Sequence, residues 1–262
     1  MKYIFETKYA HFYKLYMMTI KSSGEKAWLF IYPLVGLFSI GFLAAYLRSV
    51  GGVLSTIHFI LIGVIVWSFY DLCQKAPVYS LLFDIWDHCL KHSIVSRATT
   101  YDFIIGTSAF GLVSAIFTTL YLTAASIIFF GFNIFEGGPA TIIALISIFI
   151  FATSIALLIN SLIISKDKEY MVLTWAIPGI IMIFSGIYYP VEFLPGMAIH
   201  ISYLLPTTYA ITAIRESFGF TSAVTGSLAK GMLLSLIYLA FSIKMYMWGI
   251  KSAKKTGTTI TD

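Results

Sequence analysis

Long stretches without a charged side chain alternate along this chain with short polar interruptions, on a scale far beyond the repeat of a soluble amphipathic helix or strand. A hydrocarbon core of about 30 Å takes about 20 apolar helical residues to cross. Five runs meet that length directly: Ala27 to Leu47, Ser49 to Tyr70, Phe103 to Phe135, Gly137 to Ser165 and Tyr170 to Val191. A sixth extends from about Gly231 to Ile250, with Lys244 placed to snorkel to the far interface. Residues 193–214 are also apolar, but Pro195, Gly196 and Pro206 divide them into pieces too short to cross. The pattern predicts an all-α integral membrane protein of six transmembrane helices. Residues 193–214 form a re-entrant hairpin from the outer face, between spans 5 and 6, capping a translocation path near a contact with a second copy.

Composition removes the soluble alternatives. Residues are 59% hydrophobic and 11% charged, against about 25% charged in soluble chains, and mean hydropathy is +0.88. A soluble enzyme, a disordered chain, a disulfide scaffold and a conventional nucleic-acid-binding domain are all excluded on this basis. Cys73 and Cys89 read as free thiols in a reducing compartment.

The net charge of +5 is explained by topology. With six spans and both termini inside, the cytoplasmic segments carry Lys2, Lys8, Lys14, Lys21, Lys26, Lys75, Lys91, Arg97, Lys166, Lys168, Lys244, Lys251, Lys254 and Lys255. That leaves outside only Arg48, Arg215 and Lys230 of the 17 basic residues. A seventh span at 193–214 would turn Lys251, Lys254 and Lys255 outward and weaken the bias. The expected location is the cytoplasmic (inner) membrane. Charges scattered through residues 1–26 do not match a signal peptide, so the first span is expected to stay attached. The whole of 1–262 reads as one permease domain: an interfacial segment 1–26, a bundle 27–250 and a cytoplasmic tail 251–262.

Three cytoplasmic features stand out. Residues 5–22 put Phe5, Phe12, Tyr13, Tyr16 and Ile20 near one helical face among lysines, as in a basic helix lying on an anionic leaflet. Between spans 2 and 3, residues 79–93 have helical periodicity. Leu82, Ile85, Trp86 and Cys89 form an apolar face, and Asp84, Asp87, His88 and Lys91 a charged one suited to a soluble partner. Asp84, His88 and His92 at i, i+4, i+8 could hold a metal, but i, i+4 charge pairing explains Asp84 and His88 equally well, and no metal is assigned. Lys166, Asp167, Lys168 and Glu169 join spans 4 and 5 as a charged turn, either solvating the loop or offering a second contact to a cytoplasmic partner.

Catalytic motifs are missing. There is no GxxxxGK[ST] phosphate loop and no GxSxG elbow, and the spans hold no chain of acids of the kind proton-coupled carriers use. His58 and His200 read as packing histidines, while Asn133, Asn160, Thr118, Thr119 and Thr123 read as hydrogen-bonding residues between helices. Arg215 and Glu216 are expected as an exposed ion pair near the outer surface.

The segment FSGIYYPVEFLPGMAIHISYLLPTTYAITAIRESF, residues 184–218, resembles the stretch near the C-terminus of type-2 ABC exporter permeases, through Ser185, Gly186, Tyr189, Pro190, Leu194, Pro195, Pro206 and Arg215. The span count, the inside termini, the N-terminal helix and the charged loop after span 2 match that family across the chain. The resemblance implies a dimer with two ATPase subunits, which hold the ATP and Mg; no cofactor belongs to this chain. It also implies that the helix at about 79–93 is a coupling helix seated in the ATPase. HSIVSRATTYDF lacks the proline many relatives carry near the start of span 3, so the role transfers and the detailed contacts do not. Aromatic content suits stacking on sugar rings, so a glycan or glycolipid is the expected cargo, with a drug or lipid as the alternative. Two other classes stay open: a membrane-embedded transferase or hydrolase using His200, Glu192 or the Asp84, His88 and His92 group, and a passive channel or structural scaffold.

Overall fold

A computed structural model describes residues 2–50, 54–90, 99–166, 168–220 and 228–256. The described residues fold into helices α1 (Lys2–Lys21), α2 (Ser23–Ser49), α3 (Leu54–Trp86), α4 (Thr100–Phe130), α5 (Pro139–Ser165), α6 (Leu173–Phe184), α7 (Ala198–Leu204), α8 (Pro206–Ser217) and α9 (Leu228–Thr256). Helices are the expected solution, because a bilayer offers no partner to an unpaired backbone group.

Helix ends follow local chemistry. Ser22 separates α1 from α2, its hydroxyl accepting from the Glu25 amide at 3.3 Å. Thr99 and Asp102 close a capping box at the start of α4, in which the Thr99 amide donates to the Asp102 carboxylate at 2.9 Å. The Asn133 side chain caps a short 3-10 turn at Ile134–Gly137, and Pro139 opens α5.

Helices α2, α3, α4, α5 and α9 are each long and apolar enough to cross a bilayer. The fifth expected span differs. Residues Tyr170 to Val191 are not one helix: a 3-10 turn at Lys168–Val172 leads into α6, which stops at Phe184 after 12 residues, or about 18 Å at 1.5 Å per residue. Span 2 differs in the opposite sense. Helix α3 does not end at Tyr70 but runs on to Trp86, about 50 Å for its 33 residues.

Contacts fix the directions. Phe38 meets Phe129 and Phe30 meets Phe117, so α2 and α4 run together. The Asn160 side chain donates to the Pro77 carbonyl at 3.0 Å and Phe151 lies beside Tyr70, so α5 runs with α3. The Ser147 and Ser235 hydroxyls bond at 3.0 Å and the Ser161 hydroxyl donates to the Met245 carbonyl at 2.6 Å, so α9 runs with α5. Since α5 and α9 are parallel, residues 166–227 must carry the chain back to the end from which α5 started.

Helices α3 and α5 form the centre, with Leu61, Ile62, Ile65, Ile148, Leu157 and Ile159 fully buried. Long faces of α2, α4 and α9 stay open, including Ile31, Val35, Ile116, Leu120, Leu236 and Phe241. That outward apolarity is what a lipid environment requires. In α1, Leu15 is buried, whereas Tyr9, Tyr13, Tyr16 and Ile20 form an exposed stripe at helical spacing. Phe12 leaves that stripe and packs edge-on against Phe110 of α4. The side chain of Phe5 lies outside the described residues.

Candidate functional site

Charged side chains held within the bundle occur at three levels. The first is the end at which α1, the C-terminus of α3 and the start of α4 meet. His11 packs edge-on against Phe103, and Phe103 stacks on Tyr246 of α9. The Lys14 ammonium donates to the Asp84 carboxylate and, at 3.0 Å, to the Ser80 carbonyl.

The outward charged face expected at 84–91 is therefore corrected. Asp84 is only 6% exposed and turns into the bundle with Leu82 and Ile85, while Asp87, His88 and Cys89 are exposed and so is Trp86, expected on the apolar face. Asp84 turns inward because Lys14 reaches it from α1, and the residues after Trp86 leave the expected wheel because α3 ends there. His88 sits at φ 55, its amide donates to the Ile85 carbonyl, and the Cys89 amide reaches back to the Asp84 carbonyl at 2.8 Å. Those two bonds define a Schellman turn, in which the left-handed position is usually glycine. Asp84 and His88 thus point apart, which removes the shared face a metal would need; Lys91 and His92 lie outside the described residues. In the second charged turn Lys166 and Glu169 are exposed, whereas Asp167 and the side chain of Lys168 are not described.

The second level was missed from the sequence. Lys75 and Asp71 form an i, i+4 ion pair at 2.6 Å inside α3. The Lys75 ammonium lies 3.9 Å from the centre of the Trp28 ring and 5.6 Å from that of Tyr32. Both rings come from α2, and Trp175 of α6 faces Tyr79 one turn further along α3. Tyr32 and Trp175 are about half exposed, whereas the Lys75 and Asp71 side chains are only 13% and 15% exposed, so the pair lies beneath an aromatic face of α2, α3 and α6. Towards the other end, Tyr188 approaches Tyr32 and Asp71. The available signal was the i, i+4 spacing itself, which lets two opposite charges enter a span as one nearly neutral unit.

The third level gathers the residues of the 184–218 pattern. Helix α6 stops at Ser185, whose hydroxyl bonds that of Thr207, and Gly186 turns the chain at φ 66. Arg215 of α8 is 6% exposed. Its guanidinium donates to the Gly186 and Ile187 carbonyls, each at 2.6 Å, and to the Phe59 carbonyl at 3.4 Å, and lies 3.5 Å from the centre of the Phe59 ring. The expected exposed pair of Arg215 with Glu216 is corrected: Glu216 is exposed and Arg215 is a buried clamp. Gly63 completes the joint, because a Cβ there would come within 1.9 Å of the Ile187 carbonyl oxygen.

Around the clamp, the Tyr189 hydroxyl donates to the Ile183 carbonyl, Pro190 leads into a 3-10 turn at Val191–Phe193, and Leu194 is half-buried. Pro195 and Glu192 are exposed, and Pro206 is the buried first residue of α8. Phe59, Tyr188, Tyr189, Pro190, Phe193 and Phe220 border a cleft of about 540 Å3. His58 packs beside Phe132 and His200 is exposed next to Tyr203. Chemically, the three levels offer a charged turn, an aromatic face suited to stacking and an aromatic cleft over a rigid joint.

The ABC-2 type transporter family model matches residues 12–218, from α1 to just past α8. Comparison with curated proteins gave no match.

Proposed function

This chain belongs to the ABC-2 type transporter family, whose membrane domain is a multi-pass transport subunit, and on that premise we propose that two copies of it form the export path of an ATP-driven complex with two ATPase subunits. The observation that carries this reading is the open aromatic face of α2, α3 and α6, running from Lys75 and Trp28 towards the cleft at Tyr188 and Phe59. A path between two copies lined by flat rings lets a bulky amphipathic cargo slide by stacking without a deep, specific well. The cargo is a glycan or glycolipid, whose sugar faces stack on Trp28, Tyr32 and Trp175.

The parallel course of α5 and α9 supports six crossings, with residues 166–217 supplying the return crossing and the re-entrant α7–α8 hairpin on the outer side, and both termini cytoplasmic. The turn after α3 receives the ATPase through Asp87, His88 and Lys91, while Leu82, Asp84 and Ile85 fasten it to the bundle. Lys166, Asp167, Lys168 and Glu169 make the second contact. ATP and Mg bind in the partner, whose closure moves the turn; rigid helices transmit that motion to the outer joint.

The test is transport by the complex of this chain and its ATPase in vesicles. Trp28→Ala with Tyr32→Ala should lower cargo-stimulated ATPase activity and transport of a lipid-linked glycan by at least about tenfold, leaving basal hydrolysis intact; each stacking ring is worth about 1 kcal/mol or more. Unchanged glycan transport by the double variant would remove the aromatic face from the path.

A further inference from the structure

Next to the pocket that holds Lys75 and Trp28, and sharing Thr19, Leu29, Phe110 and Ser114 with it, lies a groove of about 400 Å3, walled by α1, α2 and α4. Its lining is apolar, with Phe12, Tyr16 and Ile20 on α1, Leu29 and Phe30 on α2, and Phe110, Val113 and Phe117 on α4. Lys26 is its one charged lining residue, and Thr19 and Ser114 are its remaining polar ones. We propose that this groove is a site for an anionic phospholipid of the inner leaflet, with the phosphate at Lys26 and one acyl chain along Leu29, Phe30, Val113 and Phe117.

Depth supports that occupant. Lys26 lies in the first turn of α2, next to the Ser22 break between α1 and α2, whereas Phe30 and Phe117 meet one full turn further into the span, edge to face at 5.7 Å between ring centres. The groove is therefore polar and cationic at the interface and apolar towards the bilayer middle, which is the profile of a phospholipid and not of a soluble ligand. Charge supports the headgroup. Lys21 closes α1 beside the same break, and both lysines are exposed. A volume of 400 Å3 lies within the range of small-molecule pockets.

The walls are also made to persist. The Tyr121 hydroxyl of α4 donates to the Leu29 carbonyl at 2.8 Å, which fixes α2 on α4. The third wall, α1, is held by Phe12 on Phe110 and by Lys14 on Asp84. A lipid wedged here would join α1 to the span and stabilise the helix that holds the inner end of α3.

The experiment is native mass spectrometry of the full-length chain in complex with its ATPase, titrated with phosphatidylglycerol and with phosphatidylcholine of the same acyl chains, without nucleotide or cargo. The expected result is retained phosphatidylglycerol with about fivefold tighter binding than phosphatidylcholine, in keeping with the attraction of one lysine to an anionic headgroup. Lys26→Gln should abolish that preference, Lys26→Arg should keep it, and Val113→Trp should abolish retention of both lipids. Ile128→Trp, on the open face of α4 away from the groove, should change nothing. Equal retention of the two lipids by the native chain, or an unchanged preference in Lys26→Gln, overturns the proposal; the Lys26 pair decides it even if the tryptophan variant fails to fold. The readout is independent of transport, so its failure leaves the export reading in place.

Discussion

The two ends of the bundle are fastened by side chains of the same charge in opposite ways. At one end, Lys14 reaches from α1 to a carboxylate, with its own side chain still 27% exposed. At the other, Arg215 is buried and holds neutral backbone carbonyls of a loop against α3. An ammonium on a carboxylate near water is a contact that can open and re-form, because solvent can take over both charges. A guanidinium whose planar fork spans two adjacent carbonyls in a dry joint has no such substitute, and opening it strands donors and acceptors together. The difference assigns movement to the end at which α1 meets α3 and rigidity to the end that carries the cleft.

Breaking the rigid end should have the largest effect. Arg215→Ala removes the side chain that spans the Gly186 and Ile187 carbonyls, and we expect a loss of about 1–3 kcal/mol for each buried carbonyl left unsatisfied, read as a large fall in the unfolding temperature of the complex in detergent. Arg215→Lys should recover little of it, since one ammonium cannot match the fork. Preserved stability in Arg215→Lys would show that charge and not geometry holds the joint.

Gly63→Ala tests the same joint from α3. The new methyl meets the Ile187 carbonyl oxygen, so the loop must shift, at a cost of about 1–3 kcal/mol. Transport should fall with it while α1 stays docked, as judged by protease resistance of residues 9–21.

Asp84→Asn addresses the movable end and should cost about 1–2 kcal/mol, a charge-assisted bond being replaced by a neutral one. Residues 9–21 should become protease-sensitive without any change at the loop of residues 186–193. The same loss should follow from Lys14→Met, and the two together should be less than additive. The combination of Asp84→Asn with Arg215→Ala should instead be additive within about 0.5 kcal/mol; strong coupling would mean the two ends are one mechanical unit. Smallest is His88→Gly, expected to stabilise the turn after α3 by about 1 kcal/mol by relieving a left-handed non-glycine residue.

How far the sequence reached can be seen at single residues. Ser22, Gly131, Pro139 and the Thr99–Asp102 pair mark helix ends by chemistry within four residues, and those ends are where α1, α4 and α5 start or stop. The extent of α3 was not legible to a search for charge-free runs, because Asp71 and Lys75 neutralise one another within a turn. The pairing of Arg215 with Glu216 was a poor expectation on helical geometry alone, since neighbours in sequence diverge around the axis and do not face each other. The Ser185, Gly186 and Arg215 pattern was visible as spacing, but that its two ends touch was not.

Span-length apolar runs and the scarcity of charge are properties of consecutive residues against a bilayer of fixed thickness, so the sequence alone determines a helical membrane protein. Whether Asp84 faces a partner or Lys14, and whether Arg215 faces water or the carbonyls of residues 186 and 187, depends on helices from distant parts of the chain. Burial and pairing are set by what packs against a residue, and only the tertiary structure supplies that.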